Sequence, residues 1–185
     1  DAANPRANNI FGHIIRWVEQ GGDAAAETFR WEIFLRGGNR THPEIEHRGD
    51  VRKGEPRQDF GSPDGIYLDR RGVLWVQTDV SSSTINSGPY SGMGNNQLMA
   101  VDPSTKEVRR FLTGPNGCEV TGITQTPDGR TMFVNIQHPG ERPDDTPSIP
   151  ASPLSTWPAN AHGRPRSATV MIQRKDPSDE RAIGE

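Results

Sequence analysis

The sequence predicts an all-β chain, folded as a partial β-propeller of about two and a half four-stranded antiparallel blades. Three observations carry this. Only 31% of the 185 residues are hydrophobic, whereas glycine (20) and proline (16) are abundant; that balance favours short strands and turns over long helices. Short apolar segments recur in pairs at hairpin spacing along the chain. Residues 60–79 and 116–141 also share a grammar of Ser/Thr-Pro-Asp-Gly, an apolar strand, and a polar or acidic residue at its end, with Asp64 and Asp128 lying 64 residues apart.

Taken in order, residues 1–9 are polar and read as loop. Residues 11–19 contain the strand formers Ile14, Ile15, Trp17 and Val18. Residues 28–35 alternate, with Phe29, Trp31, Ile33 and Leu35 on one face and Arg30, Glu32 and Phe34 on the other. Gly-Gly-Asp and three alanines connect the two into a hairpin with room for a local helical turn. Residues 37–59 form a polar connection so long that a compact domain keeps it only if it is functional or anchored.

A second hairpin is expected from residues 66–69 and 73–78 around Arg70-Arg71-Gly72, followed by a Ser/Gly-rich loop at 80–96. Residues 97–101 and 107–112 flank Asp102-Pro103, whose side chains set a turn. Residues 120–124 and 131–137 are joined by Pro127-Asp128-Gly129. Residues 142–166 read as an irregular proline-rich loop, residues 167–173 as a last strand, and residues 174–185 as a charged, frayed tail. As blades, these give an outer pair (11–35), an inner pair (60–79), an outer pair (97–112), an inner pair (119–137) and one outer strand. A propeller has at least four blades, so the chain is expected to be a piece of a longer ring.

Composition excludes several classes. A net charge of −3 without a basic patch argues against a nucleic-acid surface. No apolar run approaches the roughly 20 residues of a membrane helix. The single cysteine, Cys118, excludes an internal disulfide and a cysteine-only zinc site. Phosphate-cradling Gly-rich loops, His-Glu-x-x-His helices, Gly-x-Ser-x-Gly elbows and helix-loop-helix calcium registers are absent from the sequence.

Particular segments resemble one family. They are F-G-S-P-D-G at 60–65, L-W-V-Q-T-D at 74–79, G-N-N-Q-L-M-A-V-D-P at 94–103, V-R-R-F-L-T-G-P at 108–115, G-C-E-V-T-G at 117–122 and T-P-D-G-R-T-M-F-V-N-I-Q-H-P-G-E at 126–141. Together they resemble the PhoX-type alkaline phosphatases of bacteria. The resemblance implies a periplasmic or secreted propeller phosphomonoesterase, exported by the twin-arginine route, with a Ca2+ and Fe3+ cluster in its central channel. It implies small phosphate esters as substrates, no specific nucleic-acid or membrane partner, and a monomer at full length. Residues 1–185 would be the C-terminal part of one such domain. Blades on the N-terminal side would supply further ligands and an iron-binding cysteine, so catalysis is expected to need them.

Hard cations take oxygen ligands, and carboxylates at inner strand ends are the natural suppliers. Glu119 is the first candidate for both catalysis and metal binding, because it stands just before the strand Val120-Thr121-Gly122-Ile123; alone it would read equally as a solvated loop acid. Asp64 and Asp79 are the other metal candidates. Asp64 sits in a Pro-Asp-Gly that also makes a turn by itself. Asp79 ends an apolar strand, where a carboxylate must be exposed, paired or metal-bound. Asp128 reads as a plain turn residue. His138 could bind a metal, protonate a leaving group or serve as a hydrogen-bonded strand-end residue. Asn95, with Asn96 and Gln97, faces substrate or caps a loop. Cys118 reads as a small buried residue. Two other functions fit the same segments: a calcium-stabilised propeller module without catalysis, and a lactonase-like propeller hydrolase.

Overall fold

A computed structural model describes residues 1–50, 58–143, 152–159 and 163–185. Among the described residues, nine strands form three antiparallel sheets. Strands β1 (His13–Glu19) and β2 (Phe29–Arg36) pair alone. Strands β3 (Pro63–Leu68), β4 (Leu74–Thr78), β5 (Gln97–Asp102) and β6 (Glu107–Thr113) make a complete four-stranded sheet in sequence order. Strands β7 (Glu119–Gln125), β8 (Thr131–Gln137) and β9 (Ala168–Gln173) make the third. The chain is therefore one whole blade between two partial ones. Helical segments among the described residues are single 3-10 turns, and none is long and apolar enough to cross a membrane.

Two apolar clusters lie between the sheets. Ile14, Phe34 and Leu35 of the first sheet meet Leu74, Val76, Met99, Val101 and Val108 of the second. Trp75 and Leu98 point the other way, to Val120, Met132, Val134 and Ile136 of the third. Alternation along β4 thus feeds both interfaces, which is why every residue of that strand is buried. Tyr67 joins the Trp75 side, so Ile66 and Leu68 of β3 lie on the opposite face, where both are exposed.

Phe34 departs from the simple alternation expected of β2. Burial follows position along the strand, from exposed Phe29 to buried Phe34 and Leu35. The ring of Phe34 is covered by Arg16 and Lys106, whose cationic groups lie 5.0 and 5.2 Å from its centre. The long 37–59 connection is anchored: Asn39 donates to the carbonyls of Pro89 and Ser91, Arg40 pairs with buried Asp59 at 2.8 Å, and Gly38 bridges Phe60. Residues 51–57 of it, and residues 144–151 and 160–162 of the proline-rich loop, lie outside the described residues.

The repeat takes a different register from the one the two Pro-Asp-Gly triplets suggest. Residues 126–129 form the β7–β8 turn, with the Gly129 N–H donating to Thr126 O and the Thr126 hydroxyl to Asp128. Asp64, by contrast, lies inside β3, at a bulge between Pro63 and Ile66. Its counterpart in the next blade is the bulge between Thr121 and Ile123. Gly65 and Gly122, 57 residues apart, mark the two bulges. A Cβ at either would fall 2.4–2.5 Å from an amide atom of Gln77 or Asn135 on the neighbouring strand. Glycine is what lets both strands kink there.

The tail is not frayed. Ala182 and Ile183 are buried, and Ile183 packs in the cluster around Trp75. The Ile183 N–H donates to Gly129 O at 2.9 Å, Arg71 donates to Ile183 O and pairs with Glu185, and Arg174 donates to the carbonyls of Ala182 and Glu185. The tail's seven charged residues leave an apolar pair too short to show a period, and that pair is what docks. In the full-length protein, Ile183→Ala should cost about 2–4 kcal/mol, read by chemical denaturation. A change under about 0.5 kcal/mol would show that the tail does not hold the two blades together.

Candidate metal centre

Antiparallel pairing brings the start of β3 beside the end of β4, with Pro63 opposite Thr78, and the start of β7 beside the end of β8, with Glu119 opposite Gln137. Both hairpins present those ends at the same side of their blades. Asp64 and Asp79 therefore stand at the mouth of one hairpin, Glu119 and His138 at the mouth of the next. The Asp79 segment is pinned in place: the Asp79 N–H donates to Ser62 O, and the Ser62 N–H to Phe11 O. Ser62 adopts a left-handed φ of 50° there, and its hydroxyl meets that of Tyr90 at 2.9 Å.

Electrostatics tie the two mouths into one site. The Asp79 carboxyl is held above its ordinary range by partial burial, then by the negative charges of Asp64 and Glu141, with His138 opposing them. His138 Nε2 lies 3.5 Å from Glu119 Oε2, and its Nδ1 lies 3.6 Å from Glu141 Oε2. The imidazole is thus sandwiched between two carboxylates. Its Nδ1 is shut off from solvent without a hydrogen-bond partner among the described residues. His138 also carries a φ of 34°, rare for a residue with a side chain. The following turn explains how that conformation persists: the Gly140 N–H donates to Asn116 O at 2.7 Å and the Glu141 N–H to Gly117 O at 3.2 Å. Gly117 must be glycine, since its φ is 64° and a Cβ would lie 2.5 Å from Glu141 O.

His138, Glu119 and Glu141 are thus in contact, and Asp79 stands near enough to feel the charges of Asp64, His138 and Glu141. Sequence reasoning passed over Glu141; its signal was the His-Pro-Gly-Glu exit, a tight turn that carries an acid back beside the strand it leaves. Asn95 donates instead to Asn116 Oδ1 at 2.8 Å, tying the 80–96 loop to the turn before Glu119. Cys118 is buried, and burial, with the charge of Glu119 adding to it, pushes its thiol up to about 12. A thiol held neutral in this way is a poor nucleophile. Among the described residues, the group of acids and histidine whose ligand atoms all lie within 4.8 Å of one another is Glu44, Glu46 and His47, in the 37–59 connection, where His47 Nε2 is 3.1 Å from Glu44 Oε2. Both of its carboxylates are exposed on a single 3-10 turn.

The sequence profile of the family described as Alkaline phosphatase PhoX matches residues 1–140. The chain belongs to the PhoX family. Among solved structures, PhoX from Pseudomonas fluorescens, in complex with the transition-state analogue vanadate, is 41% identical with a TM-score of 0.82. That likeness covers 98% of this chain and 29% of the Pseudomonas chain. No curated protein sequence matches it. PhoX proteins are alkaline phosphatases built as β-propellers, and the three sheets described above are the corresponding part of such a ring.

Proposed function

We propose that this PhoX chain supplies part of the metal centre of a metal-dependent phosphomonoesterase, which releases inorganic phosphate from small phosphate esters. The observation that carries this is the pairing of the His138 imidazole with Glu119 and Glu141, with Asp79 near enough to feel the charges of His138, Glu141 and Asp64. Neighbouring carboxylates repel one another, and a hard cation relieves that repulsion. The donors are all oxygen apart from His138, which fits calcium and suits ferric iron equally. Cys118 is buried with its thiol held neutral, so an iron-bound thiolate would come from another part of the protein.

Glu119, Asp64 and Asp79 are the proposed ligands, and Glu141 is a fourth oxygen donor within the same group. When bound, the metals would hold phosphoryl oxygens, generate the attacking nucleophile and stabilise the leaving alkoxide. His138 meets Glu119 through Nε2 and Glu141 through Nδ1, and so holds both carboxylates beside it. The vanadate held by the Pseudomonas protein supports a phosphoryl substrate for this one. A periplasmic or secreted location, a monomeric full-length protein and a chain forming its C-terminal part complete the reading.

The test is hydrolysis of p-nitrophenyl phosphate by the full-length protein, with and without chelator, beside elemental analysis. Turnover that chelation abolishes, with calcium and iron both bound, is the expected result. Calcium bound without turnover would replace the enzyme with a calcium-stapled binding module.

A further inference from the structure

Asn96 was one of three adjacent polar residues whose role the sequence left open. In the structure it is 2% exposed and all four polar positions of its carboxamide are filled. Its Oδ1 accepts from the Thr78 hydroxyl at 2.9 Å and the Val80 N–H at 2.7 Å. Its Nδ2 donates to Val80 O at 3.0 Å and to Cys118 O at 2.9 Å. Val80 follows Asp79 directly, and Cys118 directly precedes Glu119. One planar group therefore grips the neighbour of a proposed ligand in the second blade and the neighbour of another in the third.

We propose that Asn96 is a positioning residue for the metal centre, setting the separation of the Asp79 and Glu119 carboxylates across the blade interface. This rests on the reading of those residues as ligands. The surroundings leave the clamp little freedom. The Gln97 N–H donates to the same Thr78 hydroxyl at 2.8 Å, and the Gly114 N–H donates to Asn96 O at 2.8 Å. A Cβ on Gly114 would fall 2.3 Å from Cys118 Sγ, so the three chain segments are in close contact. The amide orientation is fixed by its partners, because two donors face one side and two carbonyls the other. A carboxylate in its place would set one oxygen, where Nδ2 now donates, against the carbonyls of Val80 and Cys118. Outer residues that orient ligands in this manner typically carry about 10–100-fold in metal affinity.

The deciding experiment is calcium titration of the metal-stripped full-length protein carrying Asn96→Asp, beside its thermal unfolding in the absence of metal. Calcium affinity should fall roughly 10–100-fold. The sign is diagnostic: an added negative charge near a cation site would by itself tighten binding, so weaker binding reports displaced ligands. Thr78→Val, which keeps shape and removes one bond to Asn96, should weaken calcium about 10-fold, and Thr78→Ser should restore it. This pair decides the matter if Asn96→Asp does not fold. Ile183→Ala, at the same interface, should lower the unfolding temperature and leave calcium affinity unchanged. Calcium affinity that stays at the wild-type value in Asn96→Asp and Thr78→Val overturns the positioning role alone. A wild-type protein that binds no calcium overturns the metal centre, and the positioning role with it.

Discussion

Glu119→Gln in the full-length protein should reduce phosphatase turnover at saturating metal by more than the roughly 100-fold that outer-shell changes cost. Gln keeps the volume and one oxygen of the side chain and removes its charge. The Glu119 side chain is only 12% exposed and lies 3.5 Å from His138 Nε2, so the loss falls on a position where water is a poor substitute. Two readouts separate a lost ligand from general damage. Metal-stripped wild type and variant should unfold within about 1 kcal/mol of each other. The extra stability that metal confers should shrink in the variant, since a ligand that binds only the folded state stabilises with the logarithm of one plus its concentration over its dissociation constant. Wild-type turnover in Glu119→Gln would remove Glu119 from the site and leave Asp64 and Asp79 as a separate pair to be tested singly.

The sheets were legible because β4 carries its own evidence. The four-residue apolar run Val73-Leu74-Trp75-Val76, after a Gly turn and with an acid closing the strand, reads as a central strand, and the residues that pair with it follow at hairpin distance. The acids at strand ends were legible for the same reason: a carboxylate after Leu-Trp-Val-Gln-Thr has no apolar place to go. What failed was local grammar carried too far. Pro-Asp-Gly is compatible with a turn and with a bulged strand; at Asp64 the chain bulges, with Gly65 close against the amide of Gln77 on the paired strand. Asn95 and Asn96 look alike in sequence, and long-range carbonyls, not neighbours, decide which is buried. Glu141 and the Ile183 tail depend on contacts with Gly117 and Trp75 that no periodicity announces.

Trp75 should be the most costly side chain to remove. It is fully buried between the second and third sheets, meets Phe111 edge-on at 5.0 Å, and sends its indole N–H to Asp69 Oδ2 at 3.1 Å. Trp75→Ala should cost about 3–5 kcal/mol, measured by urea unfolding with far-UV dichroism. Trp75→Phe keeps most of the apolar contact and removes the donor, so it should cost about 1–3 kcal/mol. The partner is equally constrained. Asp69 is buried, which alone would raise its pKa, but the Trp75 indole, the backbone N–H groups of Val73 and Arg71, and the Arg71 charge together hold it below the ordinary value. A group whose pKa is depressed by folding stabilises above its unfolded value, near 3.9, and loses that contribution as pH falls through its folded value. Asp69→Asn should therefore be less stable than wild type at pH 7, with the gap closing as the pH drops below about 4. In a double-mutant cycle, Trp75→Phe and Asp69→Asn should couple by roughly 0.5–3 kcal/mol. Additive costs, or a gap that persists unchanged into acid, would mean that the indole and the carboxylate act independently and that packing alone holds Trp75 in the blade interface.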